Sequence, residues 1–294
     1  MLANKYRPKE WSEVVGQDVS VTILTKLIAD KTFGHSLLFV GNAGCGKTTC
    51  AKIFAKSVNG EIYEYDCASH NGVAEIKDIV EDARQKPLNH EYKVYILDEC
   101  QTLSAQAWSS LLIPLEENIP HSIFLFCTTD LQKIPNTIIS RVAKFSFLPL
   151  PENLIYERLL EVVSKENISI EAKALATIAK HSNNSMRQAL TNLDKCLDYG
   201  TTDAEVRKAL NIVADNVMEA VYNAIGTREV ITIINKVYMN GYELHTFVDQ
   251  FLDWCIENNK SCMALVLKII SEIRYVDNPK NMIIGYLLCY NKKD

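Results

Sequence analysis

Short apolar runs alternate with amphipathic segments between residues 35 and 150. Apolar residues at helical spacing predict one helix that begins near Gly46 and another over residues 73–86. Because strands that alternate with helices form right-handed βαβ units, this half of the chain predicts a parallel sheet covered on both faces. An apolar run predicts a buried strand at residues 35–41, alternation predicts one at 61–66, and further strands are predicted at 93–99, 122–129 and 143–150.

Two prolines, Pro149 and Pro151, end this alternation, and no convincing strand follows them. Helical spacing continues in two groups of segments, which are 154–167, 171–182, 185–199 and 203–213, then 215–226, 228–240, 243–259 and 262–276. The fold class that this order predicts is α/β followed by all-α. The predicted domains are residues 1–149, 150–213 and 214–294.

The length of 294 residues is too great for one ordinary core and suits two or three domains. Hydrophobic residues make up 48% and charged residues 23% of the chain, which is a globular composition. No apolar run reaches the roughly 18 residues that span a bilayer, and the opening residues lack the apolar region of a signal peptide. The net charge of −5 excludes a coat of basic residues and restricts nucleic-acid binding to a limited surface.

Nine cysteines are scattered along the chain without a Cys-x2-Cys pair. This spacing favours free thiols in a reducing cytoplasm over a disulfide framework or a zinc site. We therefore expect a cytoplasmic protein that binds no zinc and no membrane.

The stretch GNAGCGKTTC, residues 41–50, matches the phosphate-loop pattern Gly-x4-Gly-Lys-Thr. Its glycines allow a tight turn whose N–H groups face phosphate oxygens, and the next helix adds its positive end. Lys47 is predicted to reach the β- and γ-phosphates, and the Thr48 hydroxyl to bind Mg²⁺. The nucleotide-binding residues predicted here are Gly41, Asn42, Ala43, Gly44, Cys45, Gly46, Lys47, Thr48 and Thr49.

The segment VYILDE places Asp98 and Glu99 after four apolar residues, at the carboxyl end of a buried strand. Ligands of open parallel sheets bind at that end. Asp98 is predicted to assist Mg²⁺ through water, and Glu99 to polarise the water that attacks the γ-phosphate. The pair favours an ATP-hydrolysing machine over a small GTPase or a synthetase.

These segments, together with the opening NKYRPKEWSEVVGQ, resemble the AAA+ clamp-loader ATPases, above all the gamma/tau family of bacterial DNA polymerase III. Replication factor C small subunits are a secondary likeness. The resemblance covers roughly residues 3–213 and is weaker beyond them. It implies an AAA+ sheet, a helical lid and a C-terminal helical collar for oligomerisation. It also implies an adenine pocket lined by Tyr6, Arg7, Pro8, Val14 and Val15.

The segment CTTDLQKIPNTIISR resembles the sensor-1 strand of this family and the segment that follows it. The likeness implies that Thr128 senses the γ-phosphate, with Thr129 as the alternative because the motif fits in either register. It implies that Arg141 is an arginine finger, which acts on the ATP site of a neighbouring subunit. Val142 departs from the family, which usually has cysteine at that position.

The segment NNSMRQALTNLDKC resembles the sensor-2 helix, and this likeness implies that Arg187 reaches the nucleotide from the lid. The gamma/tau family also carries a four-cysteine zinc module, whereas here Cys67 stands alone and the collar is short. A compact form without zinc suits a streamlined or phage replication system. Candidate contacts implied by the family are Pro87 and Leu88 for the clamp, and residues 69–73 and 102–106 for DNA.

The implied function is that of an ATP-hydrolysing subunit of a sliding-clamp loader, which opens a ring clamp and loads it at primer–template junctions. Such a subunit polymerises no DNA. Its implied cofactors are ATP and Mg²⁺, and its partners are other loader subunits, the clamp and DNA, at the nucleoid or replisome. Two alternatives are a branch-migration or helicase-loading ATPase, and a stator that binds ATP without hydrolysing it. The all-helical end opposes the first, and intact Lys47, Thr48, Glu99 and Arg141 oppose the second.

Overall fold

The computed structural model describes residues 1–69, 72–117 and 119–290. They divide into two compact units. The first contains residues 1–168 and 178–194, and the second contains residues 169–177 and the described residues from 195 onward. The three-domain division at residues 149 and 213 stays a prediction. Within the candidate DNA contact 69–73, His70 and Asn71 lie outside the described residues.

The first unit contains a five-stranded sheet in which every neighbouring pair is parallel. Its order is β2-β3-β4-β1-β5. The predicted parallel sheet is therefore confirmed. The strands are β1, Ser36–Val40; β2, Gly60–Asp66; β3, Tyr92–Asp98; β4, Ser122–Thr128; and β5, Ala143–Ser146.

The helices of the first unit cover the sheet and connect its strands. They are α1, Leu2–Lys5; α2, Asp18–Ala29; α3, Lys47–Ser57; α4, Val73–Ala83; α5, Ala105–Glu117; α6, Asn136–Ile139; and α7, Glu152–Lys165. Two more helices, α8 (Ala172–Lys180) and α9 (Met186–Leu197), contribute residues to both units.

Alternate side chains of the central strands enter two separate cores, one on each face of the sheet. Leu37 and Phe39 of β1 belong to the core that includes residues of α2 and α3. Leu38, between them, belongs to the core that includes residues of α4, α5 and α6. A strand buried on both faces favours apolar residues along its whole length, which is why a continuous apolar run rather than alternation marked β1 in the sequence.

Strand β5 is shorter than predicted, because it ends at Ser146 rather than continuing to residue 150. Beyond it, the side chain of Gln17 forms hydrogen bonds with both backbone groups of Leu148. Gln17 accepts a hydrogen bond from the Leu148 amide at 2.9 Å and donates one to its carbonyl at 2.8 Å. Pro149 and Pro151 then bring no N–H group to a sheet ladder.

The second unit consists of helices around a core of its own. The helices are α10, Asp203–Ala209; α11, Asp215–Ala224; α12, Glu229–Met239; α13, Leu244–Glu257; α14, Met263–Ile273; and α15, Pro279–Cys289. The core contains side chains such as Val221, Ile234, Phe247 and Val266, which are almost fully buried. Each comes from an amphipathic helix, and this explains why helical spacing was readable from residue 203 onward.

The predicted helices after residue 150 are all present, and no strand lies in the described residues beyond Ser146. The sequence interpretation did not recognise α2, α5 or α15. Helix α5 contains Pro114, which normally ends a helix, and α15 begins at Pro279. Among the described helices, none combines the length and the apolar character that crossing a membrane requires.

Candidate nucleotide-binding site

The phosphate loop connects β1 to α3. The amide of Gly41 still donates to the carbonyl of Thr128 at 3.2 Å, and α3 begins at Lys47. Gly44 and Gly46 have φ angles of 74° and 107°, in the left-handed region that favours glycine. A Cβ atom on Gly44 would lie 2.0 Å from the hydroxyl of Ser185. The loop therefore needs glycine at residue 44 for both its backbone conformation and its space.

Lys47 and Thr48 are buried at the start of α3. The Lys47 ammonium donates to the loop carbonyls of Gly41 and Asn42, at 2.8 and 2.9 Å. It thus has one of its three N–H donors left for a ligand. The Thr48 hydroxyl donates to Oδ2 of Asp98 at 2.7 Å, which connects the start of α3 to the end of β3.

A cavity of about 390 Å³ opens beside this loop in the first unit. Its walls contain most of the predicted nucleotide-binding residues, which are Tyr6, Arg7, Pro8, Val14, Val15, Ala43, Gly44, Cys45, Gly46, Lys47, Thr48, Thr49 and Arg187, with Asp98 and Glu99. Four predicted site residues are not in the walls. Gly41 and Asn42 act through their carbonyls on Lys47, whereas Thr128 and Arg141 lie elsewhere.

The predicted base pocket is fixed by polar contacts at its edge. The Tyr6 hydroxyl donates to Glu166, and Lys5 also donates to Glu166. The hydrogen bond from Lys5, and to a smaller extent that from Tyr6, holds the pKa of Glu166 below its usual value. The Arg7 Nε donates to the Thr49 hydroxyl at 3.1 Å. The opening segment is thereby attached to the phosphate-loop helix.

Glu99 follows β3 with a left-handed backbone, at φ 50°. Its Oε2 accepts from the Gln101 amide nitrogen at 2.5 Å and from the Thr129 hydroxyl at 3.3 Å. Thr128 is fully buried and donates to Oε1 of Gln101 at 2.7 Å. Of the two sensor alternatives, Thr129 therefore contacts Glu99 directly, and Thr128 is connected to it through Gln101. The sensor assignment itself stays a prediction.

Arg141 lies just after α6 and is bound within its own chain. Its Nε and Nη2 both donate to Oε1 of Glu116, at 2.9 and 2.6 Å. Its Nη1 donates to the Thr137 carbonyl at 2.6 Å and to the Ser140 hydroxyl at 3.2 Å. The guanidinium is thus held by four hydrogen bonds within its own chain, outside the cavity.

Two residues that the sequence interpretation missed belong to this site. Arg158 of α7 lines the cavity, with its side chain only 12% exposed, and donates to Glu161 at 2.6 Å. It lies three residues after the fully buried Ile155, so a charge on the apolar face of a predicted helix was the available signal. The second is Gln101, whose position two residues after Glu99 carried no motif.

The cysteines near the site are buried thiols. Burial raises the pKa of the phosphate-loop thiol Cys45, and it raises the pKa of Cys50 and of Cys67 to about 12. Neutral thiols at these positions behave as small apolar side chains. All nine cysteines lie in the described part of the chain, and none of them forms a disulfide there.

The donor atoms fit Mg²⁺ at one place. Oxygen ligands suit this ion, which usually takes one or two from the protein and the rest from phosphates and water. Thr48 Oγ1 and Asp98 Oδ2 lie side by side at the cavity wall, as such a site needs. In the ranges that the structure describes, no group of three or more His, Cys, Asp or Glu side chains is arranged to hold a metal.

Family profiles match two parts of the chain. One described as "DNA polymerase III, delta subunit" covers residues 62–151. Another, described as "RCF1/5-like, AAA+ ATPase lid domain", covers residues 157–195 and thus contains α9 with Arg187.

Curated relatives match most of the chain. DNA polymerase III subunit gamma/tau of Mycoplasma genitalium is 34% identical over 83% of this chain and 46% of its own length. DNA polymerase III subunit tau of Bacillus subtilis is 37% identical over 72% of this chain and 42% of its own length. DNA polymerase III subunit gamma of Buchnera aphidicola subsp. Baizongia pistaciae is 32% identical over 74% of this chain and 66% of its own length. The chain belongs to the DNA polymerase III gamma/tau family.

The chain spans less than half the length of the first two of these gamma/tau relatives. Among solved structures, the fold is similar to that of the Thermotoga maritima RuvB Holliday junction branch migration motor. The TM-score is 0.60 at 18% identity, over 86% of this chain and 91% of that structure. At this identity the likeness concerns the fold alone, and it agrees with the AAA+ fold expected for the gamma/tau family.

Proposed function

We propose that this chain is an ATPase subunit of a sliding-clamp loader, which uses ATP to open a ring clamp and place it at primer–template junctions. The observation that carries this proposal is the combination of gamma/tau membership with a cavity that holds the phosphate loop, Asp98, Glu99 and Arg187 together. A stator that only binds ATP would have no use for the carboxylate of Glu99 at this position.

ATP would bind with its phosphates against the loop. Lys47 lines the same cavity as the loop, so its third N–H could donate to a phosphate oxygen while the other two keep the carbonyls of Gly41 and Asn42. The adenine would occupy the slot at Tyr6, Val14 and Val15. Bound Mg²⁺ at Thr48 and Asp98 would neutralise charge on the phosphate oxygens.

Hydrolysis would require groups from two subunits. Glu99 would accept the proton of the attacking water, which forms a bond to the γ-phosphorus as the bond to the leaving ADP oxygen breaks. Arg187 lies in the same cavity, and Thr128 or Thr129 would report the phosphate to Glu99. Arg141 lies outside the cavity, and we assign it to the site of a neighbouring copy, where its charge would stabilise the transferring phosphoryl group.

The proposed partners follow from that arrangement. A ring of several subunits would place each Arg141 at the next site, and the duplex in its centre would hold the subunits in register. The clamp would bind the same ring, and Leu88, which is 94% exposed, stays a candidate contact for it. We place the protein at the replisome and assign it no zinc.

The test is the steady-state ATPase rate of the assembled complex with DNA alone, with the clamp alone and with both. We expect a slow rate alone and a much faster rate with both ligands. The stimulation by DNA should weaken as salt rises, because phosphate contacts release counterions. A branch-migration motor would respond to junction DNA without a clamp. If a folded, closed clamp does not raise the ATPase rate, the proposal of clamp loading is wrong, and the chain would be an ATPase with a different task.

A further inference from the structure

Gln101 connects the ends of two neighbouring strands beside the cavity. It lies in the short turn Cys100–Thr102 that follows β3. Its amide nitrogen contacts Glu99 Oε2 at 2.5 Å and the Thr129 hydroxyl at 2.9 Å. Its amide oxygen accepts from the Thr128 hydroxyl at 2.7 Å. One planar group thus contacts the Glu99 carboxylate just after β3 and both sensor candidates at the end of β4.

The orientation of this amide is determined by its neighbours. A carboxylate only accepts hydrogen bonds, so the side of Gln101 that faces Glu99 must carry the NH2 group. On the other side, the backbone N–H of Thr129 lies 3.4 Å from the amide oxygen and can only donate. The reverse orientation would place two acceptors together at one end and two donors at the other.

The turn itself holds Gln101 at a fixed place relative to Glu99. The amide of Thr102 donates to the Glu99 carbonyl at 3.1 Å, and the Thr102 hydroxyl donates to the same carbonyl at 2.8 Å. Glu99 has the left-handed backbone described above, an unfavourable conformation for a residue with a side chain. Such local strain is retained where surrounding contacts fix a side chain for a purpose.

We propose that Gln101 is a positioning residue for ATP hydrolysis, which orients the Glu99 carboxylate and connects it to the end of β4. Only one of the two carboxylate oxygens is engaged by Gln101 and Thr129, and Oε1 stays available for the attacking water. A glutamine suits this task because it neither titrates nor competes for the water proton. The inference rests on the proposed role of Glu99.

The experiment compares ATP hydrolysis and ATP binding in complexes assembled from the full chain. Gln101→Met keeps the length of the side chain and removes its hydrogen bonds. Gln101→Glu keeps the acceptor for Thr128 and removes the donor to Glu99. Gln132→Met is the matched control, because Gln132 is an exposed glutamine near the end of the same strand, β4. Equilibrium ATP binding by each purified chain shows that the cavity has folded.

We expect both Gln101 variants to lower kcat at least about tenfold, whereas KM and the Kd for ATP change less than about twofold. A structural role would instead weaken binding and hydrolysis together. The Gln132 variant should match the parent. If kcat is unchanged or rises in Gln101→Met with ATP bound normally, Gln101 does not position Glu99.

The double variant Glu99→Gln with Gln101→Met separates this inference from the proposed function. If Gln101 acts through Glu99, the double variant should be no slower than Glu99→Gln alone. Additive losses would overturn the inference. A parent complex without ATPase activity, or a fully active Glu99→Gln, would instead overturn the role of Glu99 and the inference with it. If Glu99→Gln is slow but Gln101→Met hydrolyses ATP at the parental rate, the inference about Gln101 is overturned and the proposed role of Glu99 stands.

Discussion

The ion pair between Arg141 and Glu116 leads to a prediction about how hydrolysis is restrained. A guanidinium has five N–H donors, and four hydrogen bonds within the chain already occupy this one. If Arg141 is the arginine finger of a neighbouring site, it must leave Glu116 before it can bind a phosphate there. Glu116 and the phosphate therefore compete for the same charge.

The strength of this ion pair follows from the solvent exposure of its two side chains. The side chains of Arg141 and Glu116 are 34% and 55% exposed, so water screens their attraction. Exposed pairs of this kind are worth about 0.2–1 kcal/mol. With 1.36 kcal/mol for each factor of ten, removal of the pair should raise the fraction of released Arg141 by about 1.4- to 5-fold. Glu116→Gln should raise the unstimulated ATPase rate by the same factor.

The assay is the steady-state rate of the assembled complex without DNA or clamp, at low and high salt. The advantage of Glu116→Gln should shrink at high salt, because salt already weakens the pair in the parent. Glu117→Gln is the control, since it removes an adjacent exposed pair with Arg84, at 3.0 Å, and leaves Arg141 bound. A slower Glu116→Gln complex would mean that Glu116 orients Arg141 for catalysis, and equal effects of both variants would refute specific competition.

Two further predictions concern the trans site and the sheet. Lys47→Ala should abolish ATP binding, and Arg141→Ala should abolish most hydrolysis. An equal mixture of the two variants should recover about a quarter of the parental rate, because in a randomly assembled ring that share of interfaces pairs an intact site with an intact Arg141. Mixed rings without activity would contradict the assignment of Arg141 to a neighbouring site. Burial raises the pKa of Asp82, but hydrogen bonds from Lys93 and Tyr95 outweigh it and hold this pKa below its usual value. The carboxylate therefore stabilises the folded state above about pH 4, and this stabilisation is lost as pH falls through the lowered pKa. Asp82→Asn should lower the free energy of unfolding in urea by about 1 kcal/mol at pH 7, and by less in acid. Equal costs at both pH values would remove Asp82 from this role.

The sequence predicted what local chemistry determines. The phosphate loop is encoded within one short stretch, and β1, β3 and β4 are marked by apolar runs because both of their faces are buried. The two contacts that now carry predictions were not visible in the same way. Glu116 is far from Arg141 in sequence, and Gln101 reaches β4 only because β3 and β4 are neighbours. Such pairs depend on strand order, which periodicity does not determine.

Local sequence preferences also gave the wrong secondary structure where tertiary contacts outweighed them. A proline is unfavourable inside a helix, but α5 continues past Pro114 to Glu117, with Trp108 and Leu111 of the same helix buried in the core. The apolar run after β5 argued for a longer strand, but Gln17 occupies the backbone groups of Leu148. In both cases packing outweighed the local preference.

The order of the strands also has a consequence for how each chain is made. Strand β1 pairs with β4 and β5, and β4 begins about 80 residues later in the chain. At about 5–20 residues per second, the ribosome needs roughly 4–16 s to synthesise that interval. During this time the apolar residues 37–39 have no strand partner, while β2 and β3 can already pair. We expect the phosphate loop to be among the last parts of the first unit to form, with the newborn β1 segment open to chaperones until then.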